Sequence, residues 1–454
     1  GTLVEHKDFL IKPDGFDIPY DAEKIHGIST ELAAEQGISL ADALAEFQIA
    51  LSKAQFVVGQ NIGFDINVMG CEFVRLQEET RIHSMSILDT CTEVTANLCK
   101  IPGGRGGRFK LPTLTELHQF LFGEPFAEAH NATADVEATT RCFFELIRTE
   151  VFTEEQLQQG GSYIEDFKSF NPVQIGRYGL KHVNLKEESA KLKTNVGTTI
   201  VVDKEAARER LSKVNFAHLH NHSQFTVLQS TITIKQLVKQ AAEYGMPAVA
   251  LTDNGNMMAA FHFEKEVTGY NKGIKEAKRI AAENGEEYAG KNELMPIIGC
   301  EFNVCRDMYD KKVKDNGYQV VIQAKNRNGY SNIIKLASKA YTDGAYYVPR
   351  IDKKLIEQYH EDIICLTGNL YGEVPNMILN VGEKQAEEAL LWWKSIFKDD
   401  LYIEIMRHGQ EDEQRVNQTL IKFSKTHDIK LVASNNTFYL NKKDAQAHDV
   451  LLCV

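Results

Sequence analysis

Residues 57–70, VVGQNIGFDINVMG, and residues 130–144, HNATADVEATTRCFF, decide the fold of the first part of this chain. In the first stretch an apolar strand is followed by Asp65 and by a helical pattern of apolar residues. In the second, His130 lies in a loop and Asp135 lies at the start of a helix, which we expect to pack through Val136, Thr139, Phe143, Leu146 and Ile147. Two carboxylates and a histidine that meet at a sheet edge can hold divalent ions and activate a water molecule. The sequence thus predicts a metal-dependent hydrolytic site.

The same residues also have a purely structural interpretation. Taken alone, Asp135 would be a helix cap and His130 an ordinary loop histidine. Three matching segments occur together, however: NIGFD (61–65) and HNATAD (130–135) resemble the second and third motifs of the DEDDh family of 3′-to-5′ exonucleases, and EKIHGIST (23–30) resembles a loop of that family. We therefore favour the hydrolytic interpretation.

The DEDDh resemblance implies an RNase H-like fold and removal of nucleotides from a DNA 3′ end. It implies that Asp65 and Asp135 hold Mg²⁺ or Mn²⁺ and that His130 is the base that accepts a proton from the attacking water. Asn61 and Phe64 would shape the second motif and contact the DNA.

The resemblance is incomplete in its first motif. Members of this family carry an Asp-x-Glu pair on a central strand, and no apolar strand with such a pair precedes Asp65. Losing a central strand leaves the N–H and C=O groups of its neighbours unpaired, at about 1–3 kcal/mol each. We therefore expect the natural protein to extend upstream of Gly1.

The length and composition predict a protein of several domains. A chain of 454 residues exceeds the size at which one core keeps growing. Alternating strands and helices predict an α/β domain over residues 1–150, a connector over 151–213 and a barrel-like or wound βα domain over 214–454. Without an apolar run long enough to span a membrane or a signal peptide, we expect a cytoplasmic location.

Charge and cysteine content exclude several classes of function. The net charge of −12 argues against a protein that coats nucleic acid nonspecifically. Eight cysteines lie singly, without the paired spacing of zinc sites, and suit reduced thiols. The loop CKIPGGRGGRFK (99–110) is basic, so Arg105, Arg108 and Lys110 are candidate phosphate contacts, although solvated surface charge is the commoner explanation of such a loop. The same alternatives apply to a later basic cluster, Arg177, Lys181, His182 and Lys186.

A second group of candidate ligands opens the last part of the chain. In FAHLHNHSQF (216–225), His218, His220 and His222 alternate, so a strand would project all three to one face. From Phe216 to its end, the chain resembles the polymerase and histidinol phosphatase (PHP) domain of bacterial replicative polymerases. The segments that carry this resemblance are GMPAVALTDNGNMM, PIIGCEFNV, ICLTGNLYGEV, YIEIMRHGQEDEQRVN and LVASNNTFYL.

Most metal ligands that this second resemblance implies are replaced. Among them, only His220, His222, Asp253 and Glu301 are still plausible ligands. Because amides and a phenyl ring bind metals poorly, we expect no metal cofactor in this domain and a structural role for it. The replaced positions are Gln229, Asn254, Gln319, Asn369, Asn436 and Phe438.

Together the two halves resemble the N-terminal part of bacterial DNA polymerase III alpha subunits with a fused exonuclease. The resemblance implies DNA with a primer 3′ end, a polymerase core in the same chain and other replisome subunits as partners, and no membrane. One alternative is a noncatalytic scaffold or interaction module of the polymerase with both metal sites incomplete. Another is a phosphoesterase acting through the PHP domain.

Overall fold

The chain folds into two compact units, residues 1–197 and 198–454. The computed structural model describes residues 3–126, 131–181, 183–193, 204–212 and 214–454. Both units mix helices and parallel strands, which confirms the predicted α/β class. Within the described ranges, no helix has the length and apolar character needed to cross a membrane.

In the described part of unit 1, nine α-helices accompany a two-stranded parallel sheet. Strands β1 (Phe56–Gly59) and β2 (Ser86–Asp89) pair in register, from Phe56 opposite Ser86 to Gly59 opposite Asp89. Across the described part of unit 1, no other strand pairs with β1, so one of its edges is open. The helices are α1 (Tyr20–His26), α2 (Thr30–Gln36), α3 (Leu40–Lys53), α4 (Ile62–Arg75), α5 (Glu93–Cys99), α6 (Leu114–Phe122), α7 (Ala132–Arg148), α8 (Tyr163–Phe170) and α9 (Leu185–Lys193).

Helix α7 forms the central support of unit 1. The Asn131 side chain caps it by accepting hydrogen bonds from the backbone N–H groups of Thr133 and Ala134. Its buried apolar residues recur at steps of three or four and pack against Leu88 of β2 and Leu117 of α6. These α7 residues are Cys142, Phe143, Leu146 and Ile147.

Part of the expected connector, residues 151–213, packs against unit 1. Phe152 and Leu157 are buried in the same core as α7. The backbone N–H of Ile175 donates to Glu145 of α7 at 2.9 Å. The first compact unit accordingly extends beyond residue 150, while the functional limits of the domains stay a prediction.

Unit 2 is built on a curved seven-stranded sheet. Its strands follow the order β3-β4-β5-β7-β8-β9, and β6 pairs with β4; β5 is antiparallel to β4 and β7, and the other pairs are parallel. The strands are β3 (Ala248–Leu251), β4 (Met295–Cys305), β5 (Tyr318–Ala324), β6 (Arg350–Asp352), β7 (Ile363–Leu366), β8 (Leu401–Ile405) and β9 (Lys430–Ala433). The helices are α10 (Lys204–Ser212), α11 (Ile234–Glu243), α12 (Ala260–Glu283), α13 (Arg327–Thr342), α14 (Lys353–Tyr359), α15 (Glu373–Asn380), α16 (Glu383–Phe397), α17 (Glu411–His427) and α18 (Ala445–Leu452).

The histidine-rich segment 216–222 does not form the predicted strand. It is extended and makes one isolated bridge, between Asn221 and Thr437. The N–H of Thr252, just after β3, donates to Asn221, and Thr437, just after β9, exchanges hydrogen bonds with His220 and His222. The segment thereby links the β3 and β9 ends of the sheet, and its few bonds to each side explain why a regular strand is not formed.

A buried arginine fixes the long loop between β4 and β5. Arg350 of β6 is fully buried and has no carboxylate among its hydrogen-bond acceptors in the described structure. Its guanidinium instead satisfies four backbone carbonyls and faces the Tyr346 ring at 5.2 Å. The carbonyls are those of Met308, Asp310, Asp315 and Gly344.

Replacing Arg350 by lysine should destabilise unit 2 by about 3 kcal/mol, because lysine cannot reproduce the planar set of donors and leaves buried carbonyls unpaired. Urea unfolding followed by circular dichroism measures this change. The control is Arg327→Lys, at an exposed position on α13. A loss of less than about 1 kcal/mol for Arg350→Lys would contradict this role.

Candidate functional site

Asp65 and Asp135 line one cavity in unit 1. Asp65 lies in the first turn of α4, directly after β1, and Asp135 lies in the first turn of α7. The cavity has a volume of about 690 Å³ and is also lined by Val58 and Gly59 of β1. The structure therefore brings together the two carboxylates that the sequence singled out, beside the open strand.

Asp89 anchors the start of α4 and was missed by the sequence analysis. Its carboxylate accepts hydrogen bonds from the backbone N–H groups of Asn61, Ile62 and Cys91, at 2.7–3.2 Å. Partial burial, and more weakly the nearby Asp89 carboxylate, raises the pKa of Asp65. Its place at the end of β2, parallel to β1, was the signal that could have identified Asp89.

The cap of α7 excludes the helix-capping role that the structural interpretation gave to Asp135. Because Asn131 caps α7, Asp135 is not the capping residue. The predicted base, His130, lies outside the described residues. Asn61 adopts a left-handed conformation (φ 56°) without a side-chain cap bond, and Phe64 is 67% exposed. Their expected contact with DNA stays a prediction.

One predicted packing residue of α7 was assigned wrongly. Val136 was expected to pack in the core, yet it is 52% exposed and lines the cavity. Helical spacing identifies a face, but it does not show whether a neighbouring element covers every residue on that face. The described elements of unit 1 cover Val136 only in part, and residues 3–6 line a second cavity with it.

The basic loop is largely paired with acidic side chains. Arg108 lies 2.6 Å from Glu93, and Lys110 lies 2.8 Å from Glu116. The side chain of Arg105 and all of His182 lie outside the described structure. In the later cluster, Arg177 pairs with Glu124 at 2.6 Å. Phosphate contacts by Arg105, Arg108 and Lys110 stay a prediction, and would require exposed ion pairs to open.

In unit 2, two histidines and two glutamates form a buried polar cluster. His220 Nδ1 lies 3.0 Å from Glu404, and His220 Nε2 lies 3.5 Å from Glu301. His222 Nε2 lies 2.7 Å from the same Glu301 oxygen. All four side chains are at most 2% exposed. We call these residues, His220, His222, Glu301 and Glu404, the buried histidine–glutamate cluster.

A proton on His220 is stabilised by the two glutamates of this cluster and offsets one of their negative charges. Burial alone would lower the pKa of His220, but Glu404 and Glu301 outweigh it and raise that pKa to about 10. Burial would likewise raise the pKa of Glu301, but His222 and His220 hold it well below its ordinary value. The arrangement therefore favours the protonated form of His220, which lies between the side chains of Glu404 and Glu301.

The sequence identified the cluster only in part. Glu404 was missed, although an acid inside the apolar strand YIEIM was a usable signal. Asp253, proposed as a ligand, is outside the group of metal-capable side chains found among the described residues. Its carboxylate instead accepts hydrogen bonds from Ser223 and Thr226. His218 contacts the Phe216 ring and is also outside that group.

Several replaced ligand positions are occupied by groups that satisfy or cover one another. The Asn369 amide donates to Gln319 at 2.8 Å. Phe438 stacks on His222, with ring centroids 4.2 Å apart and planes 3° from parallel. Asn254 makes backbone contacts and Gln229 lies at the surface. The Asn436 Oδ1 atom is buried and has no hydrogen-bond partner in the described structure.

The cluster has the donor types that a divalent ion needs. Ligand atoms of His220, His222 and Glu301 lie within 4.8 Å of one another. Buried oxygens of Glu301 and Glu404 have no hydrogen-bond partner, which also fits an added cation. The His220 proton already supplies one positive charge, however, so a metal ion would have to displace it.

Two family models match separate parts of the chain. Residues 2–143 match the model described as Exonuclease, and residues 218–408 match the model described as PHP domain. The chain therefore combines an exonuclease domain with a PHP domain.

Curated relatives of the chain are DNA polymerase III alpha subunits. DNA polymerase III subunit alpha of Campylobacter jejuni is 37% identical over 251 residues, which is 53% of this chain and 19% of the relative. The Aquifex aeolicus subunit is 37% identical over 250 residues, covering 53% and 20%, and the Thermus aquaticus subunit is 36% identical over 250 residues, covering 54% and 19%. The chain is homologous to these alpha subunits over about half its length and spans about a fifth of theirs.

Solved structures resemble the chain only distantly. A putative metal-dependent phosphoesterase from Bifidobacterium adolescentis is 14% identical, with a TM-score of 0.27, covering 50% of this chain and 88% of that one. An amidohydrolase from Chromobacterium violaceum is 10% identical, with a TM-score of 0.28, covering 52% and 96%. Neither likeness carries a functional argument.

Replacing His220 by glutamine should destabilise the protein by about 3 kcal/mol near pH 6, because two buried glutamates lose their positive partner. The stabilisation from the raised His220 pKa is fully present below 6.5 and is lost as the pH rises towards about 10. The effect of the substitution should therefore shrink over that range.

Urea unfolding at pH 6 and pH 10 measures the effect of His220→Gln. His262→Gln, at an exposed position of α12, is the matched control. The double variant His220→Gln with Glu404→Gln should regain part of the lost free energy of unfolding, because one uncompensated buried charge is removed. An equal loss at both pH values would contradict the proton bridge.

Proposed function

We propose that this chain is the N-terminal part of a replicative DNA polymerase III alpha subunit and that unit 1 is its 3′-to-5′ proofreading exonuclease. The observation that carries this proposal is the shared cavity of Asp65 and Asp135 beside the open edge of β1. Homology to alpha subunits and the exonuclease match support it. The expected cytoplasmic location stays a prediction.

In this proposal, Asp65 and Asp135 hold Mg²⁺ or Mn²⁺ in the cavity. Carboxylate oxygens are the ligands these ions prefer, and the paired acids fit them. When bound, the ions activate the attacking water and stabilise charge on the leaving oxygen. His130 would accept the proton of that water, and Asn61 and Phe64 would hold the terminal nucleotides of the primer. Asp89 is a positioning residue, since it anchors the N–H groups at the start of α4.

We further propose that a strand with two more carboxylates adds to the open edge of β1. An unpaired strand edge is a ready template for such an addition. The cavity against Val58 and Gly59 provides space for it, next to Asp65 and Asp135. Two ions need more bridging carboxylates than these two residues supply.

Unit 2 would act as a structural PHP domain. A proton on His220 offsets one negative charge of the buried histidine–glutamate cluster, which supports a structural role for this pocket. The partners expected from the alpha-subunit homology are primer DNA, a polymerase core in the same protein and other replisome subunits. A second candidate function, a noncatalytic interaction module, is favoured by the open edge of β1.

A form of this protein that carries the added strand should shorten a 5′-labelled primer with a mismatched 3′ end in Mg²⁺, and Asp135→Ala should reduce the rate by more than about 100-fold. Replacing a residue that hydrogen-bonds to a metal ligand lowers activity about 10- to 100-fold, and replacing the ligand itself lowers it further. Asp14→Asn, at an exposed position of unit 1, controls for loss of negative charge.

The outcome separates the two candidate functions. Digestion by the unmutated chain and by Asp14→Asn, but not by Asp135→Ala, supports a nuclease. Equal digestion by all three proteins contradicts the assigned site. If none of the folded proteins shortens the primer, the noncatalytic module is favoured for this chain.

A further inference from the structure

The loop between β4 and β5 presents exposed aromatic and basic side chains in unit 2. Residues 306–317 form this loop, which lies against the segment that precedes β6. Tyr309 is 65% exposed and Tyr347 is 72% exposed. Three exposed lysines accompany them. We call this set, Tyr309, Lys311, Lys312, Lys314 and Tyr347, the tyrosine–lysine surface.

The loop is held in a defined conformation. The fully buried Arg350 donates to the carbonyls of Met308, Asp310 and Asp315. Met308 itself is 1% exposed and inserts into the unit. A surface fixed in this way loses little conformational freedom when a partner binds.

The acidic residues of the loop are occupied by its own backbone. Asp307 accepts from the N–H of Tyr309, and Asp310 accepts from the N–H of Lys312, both at 2.9 Å. Asp315 accepts from the N–H groups of Arg306 and Gly317. Within the described structure, no carboxylate forms an ion pair with the three lysines. The lysines are thus the side chains of this loop that project charge to a partner.

The aromatic rings stand beside these charges. The Lys314 ammonium lies 4.9 Å from the centre of the Tyr347 ring, and Tyr346 packs edge-on against that ring at 4.7 Å. One face of Tyr347 is thereby supported while most of its surface stays exposed. Exposed rings stack on unpaired bases, and neighbouring lysines contact the phosphates between them. A base-paired duplex offers no free base faces for such stacking.

We propose that the tyrosine–lysine surface binds single-stranded nucleic acid, separately from the exonuclease cavity of unit 1. The four cationic side chains of the loop, Arg306 and the three lysines, outnumber its three aspartates and can contact phosphates, although the whole chain carries a net charge of −12. Tyr309 and Tyr347 favour a nucleic acid over an acidic protein, because a purely acidic partner gains nothing from two exposed rings. This proposal does not require the chain to have nuclease activity.

Fluorescence anisotropy of a labelled oligothymidylate tests the proposal on the whole chain, with EDTA present to prevent digestion. Replacing Lys311, Lys312 and Lys314 by alanine should weaken binding by about tenfold at low salt and lower the salt slope by about 2. The matched control replaces three exposed helical lysines of the same unit by alanine, which gives the same change in charge. These are Lys235, Lys265 and Lys425.

A second variant tests the aromatic contribution. Tyr309→Ala with Tyr347→Ala should weaken binding by about fivefold or more with little change in salt slope, since stacking releases no counterions. Tyr244→Ala, at an exposed position after α11, is the control.

Two results would overturn the proposal. One is binding by the lysine triple variant that equals binding by its charge-matched control. The other combines two observations: the tyrosine double variant binds with unchanged affinity, and polyglutamate displaces the oligonucleotide fully. Together these would assign the surface to acidic polymers in general. Thermal melting of each variant confirms that these exposed substitutions leave the fold intact.

Discussion

The fully buried imidazole of His220, held between Glu404 and Glu301, is the interaction on which the pocket of unit 2 depends. Two carboxylates in a buried site repel each other unless a positive charge lies between them. A proton on the imidazole can supply one such charge, and a bound metal ion would have to displace that proton. His222 completes the arrangement by donating to Glu301 and stacking on Phe438.

Unit 1 has the opposite arrangement, with acidic groups directed towards an open space. Asp65 and Asp135 line a cavity next to an unpaired strand edge, and the nearby Asp89 is occupied by backbone N–H groups. The two units thus differ in how their acidic side chains are compensated. In unit 2 a protonated histidine offsets part of the negative charge, and in unit 1, by our proposal, bound ions do so. This difference favours a division of roles in which chemistry belongs to unit 1 and support to unit 2.

The sequence predicted those features that depend on local pattern. The apolar runs of unit 2, such as AVAL in β3 and the stretch around Val321 in β5, became strands because such runs need burial on both faces. Long-range features were not predictable. The segment around His220 is not a strand because it only joins two sheet ends, and Glu404 joins the cluster from a distant strand without any motif around it. Val136 was misplaced because its exposure depends on how far neighbouring elements cover it.

The most direct test is to measure Mn²⁺ binding to the whole chain through the electron paramagnetic resonance signal of the free ion. The unmutated protein is compared with Asp135→Ala and with His220→Ala. The account predicts that Asp135→Ala weakens Mn²⁺ binding and that His220→Ala leaves it unchanged, because the ion belongs to the cavity of unit 1. Binding that is lost in His220→Ala and kept in Asp135→Ala would contradict it and place the metal in unit 2.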